Sequence, residues 1–448
     1  MRPPARKHQY LRRARIRTAE AAPSGTKAAL LTKADRRAVN GFEPALNPAF
    51  LAYCARRLRA ASAAPPEPER VAATLALVCE KWRDPAYKRR RNLLEQVSLR
   101  SGFSIDLLDE SLNALLEPFE PAAFKYLAKR ASGRRELLGF IMPGNVVGAG
   151  LHEVVQALVA GAAVIVKSAT AEPLFFDEFA CTVAESDPVL ANLIVVTAFE
   201  RERADLTRAL AVNCDALVAF GADSTMEALQ ALTPKLIPFG SRASGGFVEI
   251  ENVAPACITA LAAAVARDVA LFEQRGCLSL HHVFVRTREP KSALRFAMRM
   301  ARALKQVADR LPPPRQLSLG TAAPLRSARE EARWRKIGGE AVDFWEGSEF
   351  SYNVIFEPAA SFRLSPGYRT VYVSMVSDQT ELERRLCPFK GKLEAFAVFD
   401  PHGRWPRLAS RLRAFGVSHV CAPGRMQSPP LDWPHDRGRL LKHLGYRV

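Results

Sequence analysis

The sequence predicts an α/β protein built on an open, doubly wound parallel sheet, with a second α/β layer following it in the chain. Three observations carry this expectation. Five short apolar runs between Leu137 and Phe239 alternate with amphipathic helical segments, the pattern of parallel βαβ units. The alternation resumes after Gly246. The 448 residues, 48% hydrophobic and 25% charged, are enough for two domains with a substantial core.

Residues 1–40 hold 11 Lys/Arg against 2 acidic residues, so +9 of the net +18 lies there. With Arg12, Arg13, Arg15 and Arg17 and no sustained apolar period, this tail is expected to be disordered. It reads either as a solvated extension or as an attractor for an acidic partner: nucleic acid, an acyl carrier protein or coenzyme A phosphates. The remainder is only mildly basic, which argues against nucleic-acid binding as the main function.

Residues 41–132 read as helical, with apolar residues three and four apart around Phe50-Leu51 and from Leu107 to Leu116. Strands are predicted at Leu137–Ile141, Ala163–Val166, Leu193–Val196, Ala216–Phe220 and Lys235–Phe239, separated by helices through Val159 and near 174–185, 202–212 and 224–232. The second region has a helix over 255–272, a strand over 281–286 and a long helix over 291–310. Strands at Ser351–Phe356, Arg369–Val376 and Ala395–Phe399 complete it. The stretch 311–350, rich in Pro, Arg and Trp, reads as an irregular connection. The expected division is a basic tail 1–40, a helical and dinucleotide-binding region 41–245, a catalytic region 246–430 and a C-terminal segment 431–448.

Several classes are disfavoured. No apolar run reaches the roughly 18 residues of a membrane span, and the N-terminus lacks the order of a secretory signal. The eight cysteines, at 54, 79, 181, 214, 257, 277, 387 and 421, include no Cys-x-x-Cys pair, so neither a zinc site nor a redox motif is indicated and no metal is expected. Scattered thiols fit a reducing cytoplasm.

The chemistry gathers in five segments. Phe272-Glu273-Gln274-Arg275-Gly276-Cys277 sets a cysteine on a bend between a helix and a strand, where a thiol can attack a carbonyl carbon and retain it as a thioester. Pro143-Gly144-Asn145 follows a strand, so the Asn145 amide can donate to an oxyanion; the same residues also suit a plain turn. Lys167, followed by Ser168, Ala169 and Thr170, ends a strand at the edge where open sheets bind ligands. Gly221-Ala222-Asp223-Ser224 runs from strand to helix through small residues, a turn that lets backbone N–H groups approach a pyrophosphate. Phe239-Gly240-Ser241-Arg242 precedes the cysteine with no carboxylate until Glu249.

In this order the segments resemble the aldehyde dehydrogenase superfamily: Asn145 after its Pro, Lys167 22 residues later, Gly221 and Ser224 in the glycine turn, then Gln274 and Cys277. Within it the chain is most similar to the LuxC-type acyl-CoA reductases, the reductase component of bacterial luminescence. Trp82-Arg83-Asp84-Pro85, Arg369-Thr370-Val371 and an ending with Pro423-Gly424-Arg425-Met426 and Trp433-Pro434-His435-Asp436 carry that likeness, over about residues 45–448. Arg437 interrupts the expected His-Asp-Gly ending, so His435 and Asp436 are expected to form a structural cap.

The resemblance implies an aldehyde dehydrogenase-like fold and the reaction R–CO–S–CoA + NADPH + H⁺ → R–CHO + NADP⁺ + CoA. It makes Cys277 the nucleophile, Asn145 with the Cys277 N–H the oxyanion donors, and Lys167, Ser168, Thr170, Gly221 and Ser224 cofactor contacts. It also implies a cytoplasmic homo-oligomer acting on acyl-CoA or an acyl carrier protein thioester, alongside an acyl-transferring or acyl-activating protein. Aldehyde-oxidising relatives carry a Glu that activates water where this chain reads Phe239-Gly240-Ser241-Arg242, which favours reduction. An uncharged Thr170, where NAD-preferring relatives often carry Glu, favours NADPH over NADH. Two other classes stay open. One is an acyltransferase or thioesterase pairing Cys277 with His281 or His282; the other is a non-enzymatic acyl- or nucleic-acid-binding protein on the same fold.

Overall fold

The computed structural model describes residues 46–314, 316–403 and 407–447. The basic tail of residues 1–40 lies outside them. The helical lead is five helices: Pro48–Ser62, Pro68–Arg83, Lys88–Ser101, Ile105–Leu116 and Pro121–Ala128. Local chemistry sets their starts. Asn47 and Ser104 accept from backbone N–H groups of the first turn, and Pro48, Pro68 and Pro121 open helices where no donor is needed. The lead is tied to the sheet layer through Trp82, which is fully buried and donates to Thr182 Oγ1 at 3.1 Å. Arg90, also fully buried, donates to the Trp82 carbonyl at 2.6 Å and to Asp109 and Asn113.

Five parallel strands follow: β1 (Leu137–Ile141), β2 (Ala163–Ser168), β3 (Ile194–Ala198), β4 (Ala216–Phe220) and β5 (Leu236–Phe239), in the order β3-β2-β1-β4-β5. The order reverses between β1 and β4, and the crevice beyond their carboxyl ends is where such sheets take ligands.

The second sheet has seven strands in the order β12-β11-β6-β7-β10-β9-β8. They are β6 (Ala243–Glu249), β7 (Leu280–Arg286), β8 (Asp343–Glu346), β9 (Asn353–Phe356), β10 (Thr370–Val376), β11 (Leu393–Phe399) and β12 (His419–Cys421). Only the β8/β9 pair is antiparallel. Strand β6 was not expected: the second region was expected to begin at Gly246, which lies inside this strand. It forms by pairing with β7 and β11, and only glycine fits at 245, where a Cβ would lie 2.8 Å from Phe362 and 3.0 Å from both Phe396 and the His282 carbonyl. The irregular connection expected over 311–350 is also corrected, since it holds a helix at Leu319–Ile337 and strand β8. Pro324 hides the helix in the sequence. Ion pairs from Arg329 and Arg333 to Glu346, Arg335 to Glu357 and Lys336 to Asp343 hold it against the sheet.

Among the described residues one segment, Pro255–Gln274, is long and apolar enough to cross a bilayer by composition. It carries Arg267 and the buried Asp268, and it packs against the helix Pro290–Arg310 in the core of the second sheet. Its apolarity is that of a core helix.

Candidate active site

The bend that carries Cys277 is held from both sides. After the helix Pro255–Ala270, Phe272, Glu273 and Gln274 all take left-handed backbone, with φ of 55°, 51° and 59°. Each such residue costs of the order of 1–3 kcal/mol and persists only where its surroundings over-determine it. Gln274 is buried; its amide Nε2 donates to the Leu280 and Thr370 carbonyls and its Oε1 accepts from Thr370 N at 3.0 Å. Residues 275–279 therefore form a short loop pinned where β7 and β10 begin. Within it Gly276 N donates to Ser279 Oγ at 3.2 Å, and Ser244 Oγ of β6 donates to the Cys277 carbonyl at 2.6 Å.

Cys277 opens into a cavity of about 770 Å³ that reaches the β1/β4 crevice. Cys277, Asn145, Lys167, Thr170 and Gly221 all line it. Of the other expected residues, Ser168 is buried with its hydroxyl unpartnered, and Ser224 is exposed in the first turn of the helix Asp223–Gln230. Neither lines the cavity, and Thr225 does so in place of Ser224. The Asn145 amide donates one hydrogen to the Arg275 carbonyl, two residues before the cysteine. A primary amide has a second, which is free to serve another acceptor.

The decisive neighbour of Cys277 was missed. His435 Nε2 lies 3.9 Å from Cys277 Sγ, and His435 Nδ1 lies 2.6 Å from Glu153 Oε1, giving a Cys–His–Glu series across three distant segments. The expectation of a structural cap at His435 is corrected: it makes no capping bond, and its ring lies in the cavity wall, stacked on Trp433 at 4.1 Å and tilted against Phe239 at 4.5 Å. Asp436 does serve structure, pairing with Arg242 and Arg439.

Burial opposes a charge on His435, but the Glu394 and Glu153 carboxylates outweigh it and hold the imidazole well above its usual 6.5. Burial equally opposes ionisation of Glu153, and there the His435 charge and hydrogen bond prevail, holding the carboxyl below its usual 4.5. The two directions agree on a buried imidazolium–carboxylate pair. Glu394, fully buried, has no hydrogen bond at Oε2, which lies 3.8 Å from Arg242 Nε, and is pushed upward by burial.

A sequence signal for this arrangement existed. The helix Leu151–Val159 is buried throughout, yet it carries His152, Glu153 and Gln156. All three serve the C-terminal segment: His152 contacts the Pro429 carbonyl at 3.1 Å, Gln156 donates to Leu431 O at 2.9 Å, and Glu153 holds His435. Neither alternative histidine reaches the sulfur. His282 is fully buried, bonded to Ser374 Oγ at 2.9 Å and stacked on Phe284; His281 faces the cavity but bonds Ser365 Oγ at 2.9 Å. Burial pushes their imidazoles down to about 3 and about 4.

The cofactor end of the cavity can be tested against a dinucleotide. A Cβ on Gly144 would lie 2.8 Å from Ala169 Cβ, so two loops approach closely at the strand ends. Lys167 is 9% exposed and has no ion pair among the described residues; its ammonium lies 5.2 Å from the Phe199 ring, and burial lowers its pKa. Arg201, after β3, lines the same end and was not anticipated. An unpaired buried cation beside close-approaching backbone fits the phosphates of a nicotinamide dinucleotide.

A family model described as acyl-CoA reductase (LuxC) matches residues 86–447. The chain belongs to the LuxC family. Among curated relatives of this LuxC chain, the long-chain acyl-protein thioester reductase of Aliivibrio fischeri is 21% identical over 402 residues, covering 83% of this chain and 79% of the relative. That of Photobacterium phosphoreum is 22% identical over 412 residues with the same coverage. Solved structures place the LuxC chain in the aldehyde dehydrogenase fold. Aldehyde dehydrogenase 21 from Physcomitrella patens aligns with a TM-score of 0.65 at 12% identity, covering 88% of both chains. A benzaldehyde dehydrogenase from Corynebacterium glutamicum aligns at 0.64 and 15% identity, covering 85% of both.

Proposed function

We propose that this protein reduces an acyl thioester to the aldehyde with NADPH, through an acyl group carried on Cys277. The observation that carries the reading is that Cys277, its His435–Glu153 partner and the Lys167 end of the β1/β4 crevice share one cavity. Curated relatives named as acyl-protein thioester reductases support the substrate class. The donor is coenzyme A or a carrier protein.

In the first step Cys277 Sγ attacks as the thiolate, which is the nucleophilic form. A bond forms from Sγ to the acyl carbon, the bond from that carbon to the donor sulfur breaks, and His435 gives its Nε2 proton to the departing sulfur. Thiol replaces thiol, so the exchange is near balance. The free Asn145 N–H and the Cys277 N–H hold the developing oxyanion. Lys167, Thr170 and Arg201 would hold the nucleotide phosphates, with the neutral Thr170 leaving room for a 2′-phosphate. When bound, the nicotinamide supplies the two electrons that bring the acyl group to the aldehyde level. His435 then recovers its proton from solvent.

Direction follows from the carboxylates. Among the residues lining the cavity Glu153 is the only one, and it is engaged by His435. Phe239, Gly240, Ser241 and Arg242 line the wall where a water-activating acid would sit in an aldehyde oxidiser. The same reading gives the cofactor to the region 41–245 and the nucleophile to the region 246–430, with Asn145 and Glu153 from the first and His435 from the C-terminal segment completing the site, in a cytoplasmic homo-oligomer. The test is intact-protein mass spectrometry after incubation with acyl-CoA and no nucleotide, followed by NADPH absorbance. One acyl mass added to the wild type and none to Cys277→Ser is expected. A chain that consumes NADPH with acyl-CoA but never gains that mass would overturn the covalent route.

A further inference from the structure

The motif Arg369-Thr370-Val371 takes no part in the chemistry above, yet it lies directly beneath the cysteine loop. Arg369 and Glu273 are 0% and 1% exposed and hydrogen-bond to each other. Among the described residues Glu273 is the only ion-pair partner of Arg369, whose Nε and Nη1 have none. Both sit on left-handed backbone, Arg369 with Tyr368 at φ 57° and 49°, Glu273 between Phe272 and Gln274. The two segments are laced together: Tyr368 N donates to the Glu273 carbonyl at 3.1 Å, and Thr370 N donates to Gln274 Oε1 at 3.0 Å. On the far side Phe272 N donates to Ser111 Oγ at 3.0 Å.

Neither charged group lines the cavity, although Phe272, Gln274 and Cys277 around them do. A backbone run this unfavourable holds its shape only while its contacts hold it. The Glu273–Arg369 pair is the ion pair on the strained run among the described residues and lies four residues before the sulfur; burial pushes the Glu273 carboxyl up to about 7 against the opposing pull of Arg369. We propose that Glu273 and Arg369 form a buried latch that positions Cys277 against His435, a positioning pair for the acyl-transfer step. The latch rests on the reading of Cys277 as nucleophile given above. Its role is geometric: released, residues 272–274 relax toward ordinary backbone, and the loop 275–279 carries Sγ away from His435 Nε2.

The experiment separates position from stability. Glu273→Gln leaves a buried guanidinium without its counter-charge and is expected to lower the melting temperature. The double variant Glu273→Gln/Arg369→Met removes both charges, and exchange of a buried ion pair for apolar packing commonly restores stability. Each protein is assayed for single-turnover acylation over a range of acyl-CoA concentrations, and for alkylation of Cys277 by iodoacetamide read by peptide mass spectrometry. A displacement near 1 Å costs about a hundredfold, so the double variant is expected to fold like wild type yet acylate about a hundredfold slower. The acyl-CoA concentration that half-saturates the single-turnover rate should stay within about twofold, because neither Glu273 nor Arg369 lines the cavity. Alkylation of Cys277 should change in the double variant while that of the exposed Cys257 and Cys387 does not. A double variant with restored melting and wild-type acylation and alkylation would overturn the latch. A wild type that acyl-CoA never acylates at Cys277 would instead overturn the nucleophile reading, and the alkylation comparison would still report on the latch. Should the single variant fail to fold, the double variant decides alone.

Discussion

Replacing His435 by Asn tests the site at its least expected point. An Asn side chain carries its Nδ2 roughly where the imidazole carries Nδ1, so the donor to Glu153 is kept while the donor at Nε2, 3.9 Å from Cys277 Sγ, is lost. A positioned acid contributes about 10²–10⁴-fold, which at 1.36 kcal/mol per tenfold is about 3–5 kcal/mol of barrier. The variant also removes a positive charge beside Glu153, which is 2% exposed, and stripping one partner from a buried pair costs about 3–5 kcal/mol of stability. The residual Asn–Glu153 hydrogen bond and protonation of the carboxyl recover part of that. Acylation should therefore be followed in single turnover, at a temperature where circular dichroism shows the variant folded. His435→Gln is the companion, placing its amide nearer Nε2 and losing Glu153. Acylation of folded His435→Asn within about threefold of wild type, far below the range for a lost acid, would refute the argument.

Other consequences concern pH, cofactor and packing. His435 is raised in the folded state, so its contribution to stability is complete below its unfolded value near 6.5 and is lost as pH rises through its folded value. Glu153 is lowered, so its contribution is present above 4.5 and is lost as pH falls through its folded value. Melting temperature against pH should peak between these limits, and the peak should flatten in Glu153→Gln/His435→Asn; parallel curves would contradict the pair. Thr170→Glu should shift preference from NADPH to NADH by about 10- to 100-fold, the worth of about 1–3 kcal/mol of like-charge repulsion near a protein surface. That shift should appear both in initial-rate ratios and in nucleotide fluorescence titrations, and an unchanged ratio would remove Thr170 from the phosphate site. Trp82→Phe should cost about 0.5–1.5 kcal/mol in urea unfolding, because Thr182 Oγ1 loses one buried donor while keeping Tyr87 Oη at 3.0 Å; no loss would mean that bond adds nothing.

The first sheet was legible because its strands are buried on both faces and read as continuous apolar runs. Leu137–Ile141 and Ala216–Phe220 match the expected bounds, and the strand ends brought Asn145, Lys167, Thr170 and Gly221 to one crevice. The second sheet was legible only where it followed the same rule. Strand β6 did not, because glycine has little tendency to form strands and Gly245 is there to admit Phe362 and Phe396 from elsewhere in the chain. The helix Leu319–Ile337 was hidden for a related reason: its basic residues find Glu346, Glu357 and Asp343 only after folding.

The candidate thiol and the ligand-binding edge were legible in the sequence, since a cysteine on a glycine-containing bend and a lysine at a strand end are local arrangements of neighbouring residues. The partner of that thiol was decided by tertiary structure alone. His281 and His282 stand within five residues of Cys277, but strand alternation sends one to Ser365 and the other into the Phe284 stack. The imidazole that reaches the sulfur is 158 residues away in the chain. Three buried polar side chains on the helix Leu151–Val159 bring it there by satisfying the C-terminal segment, a pairing that spacing along a chain does not encode.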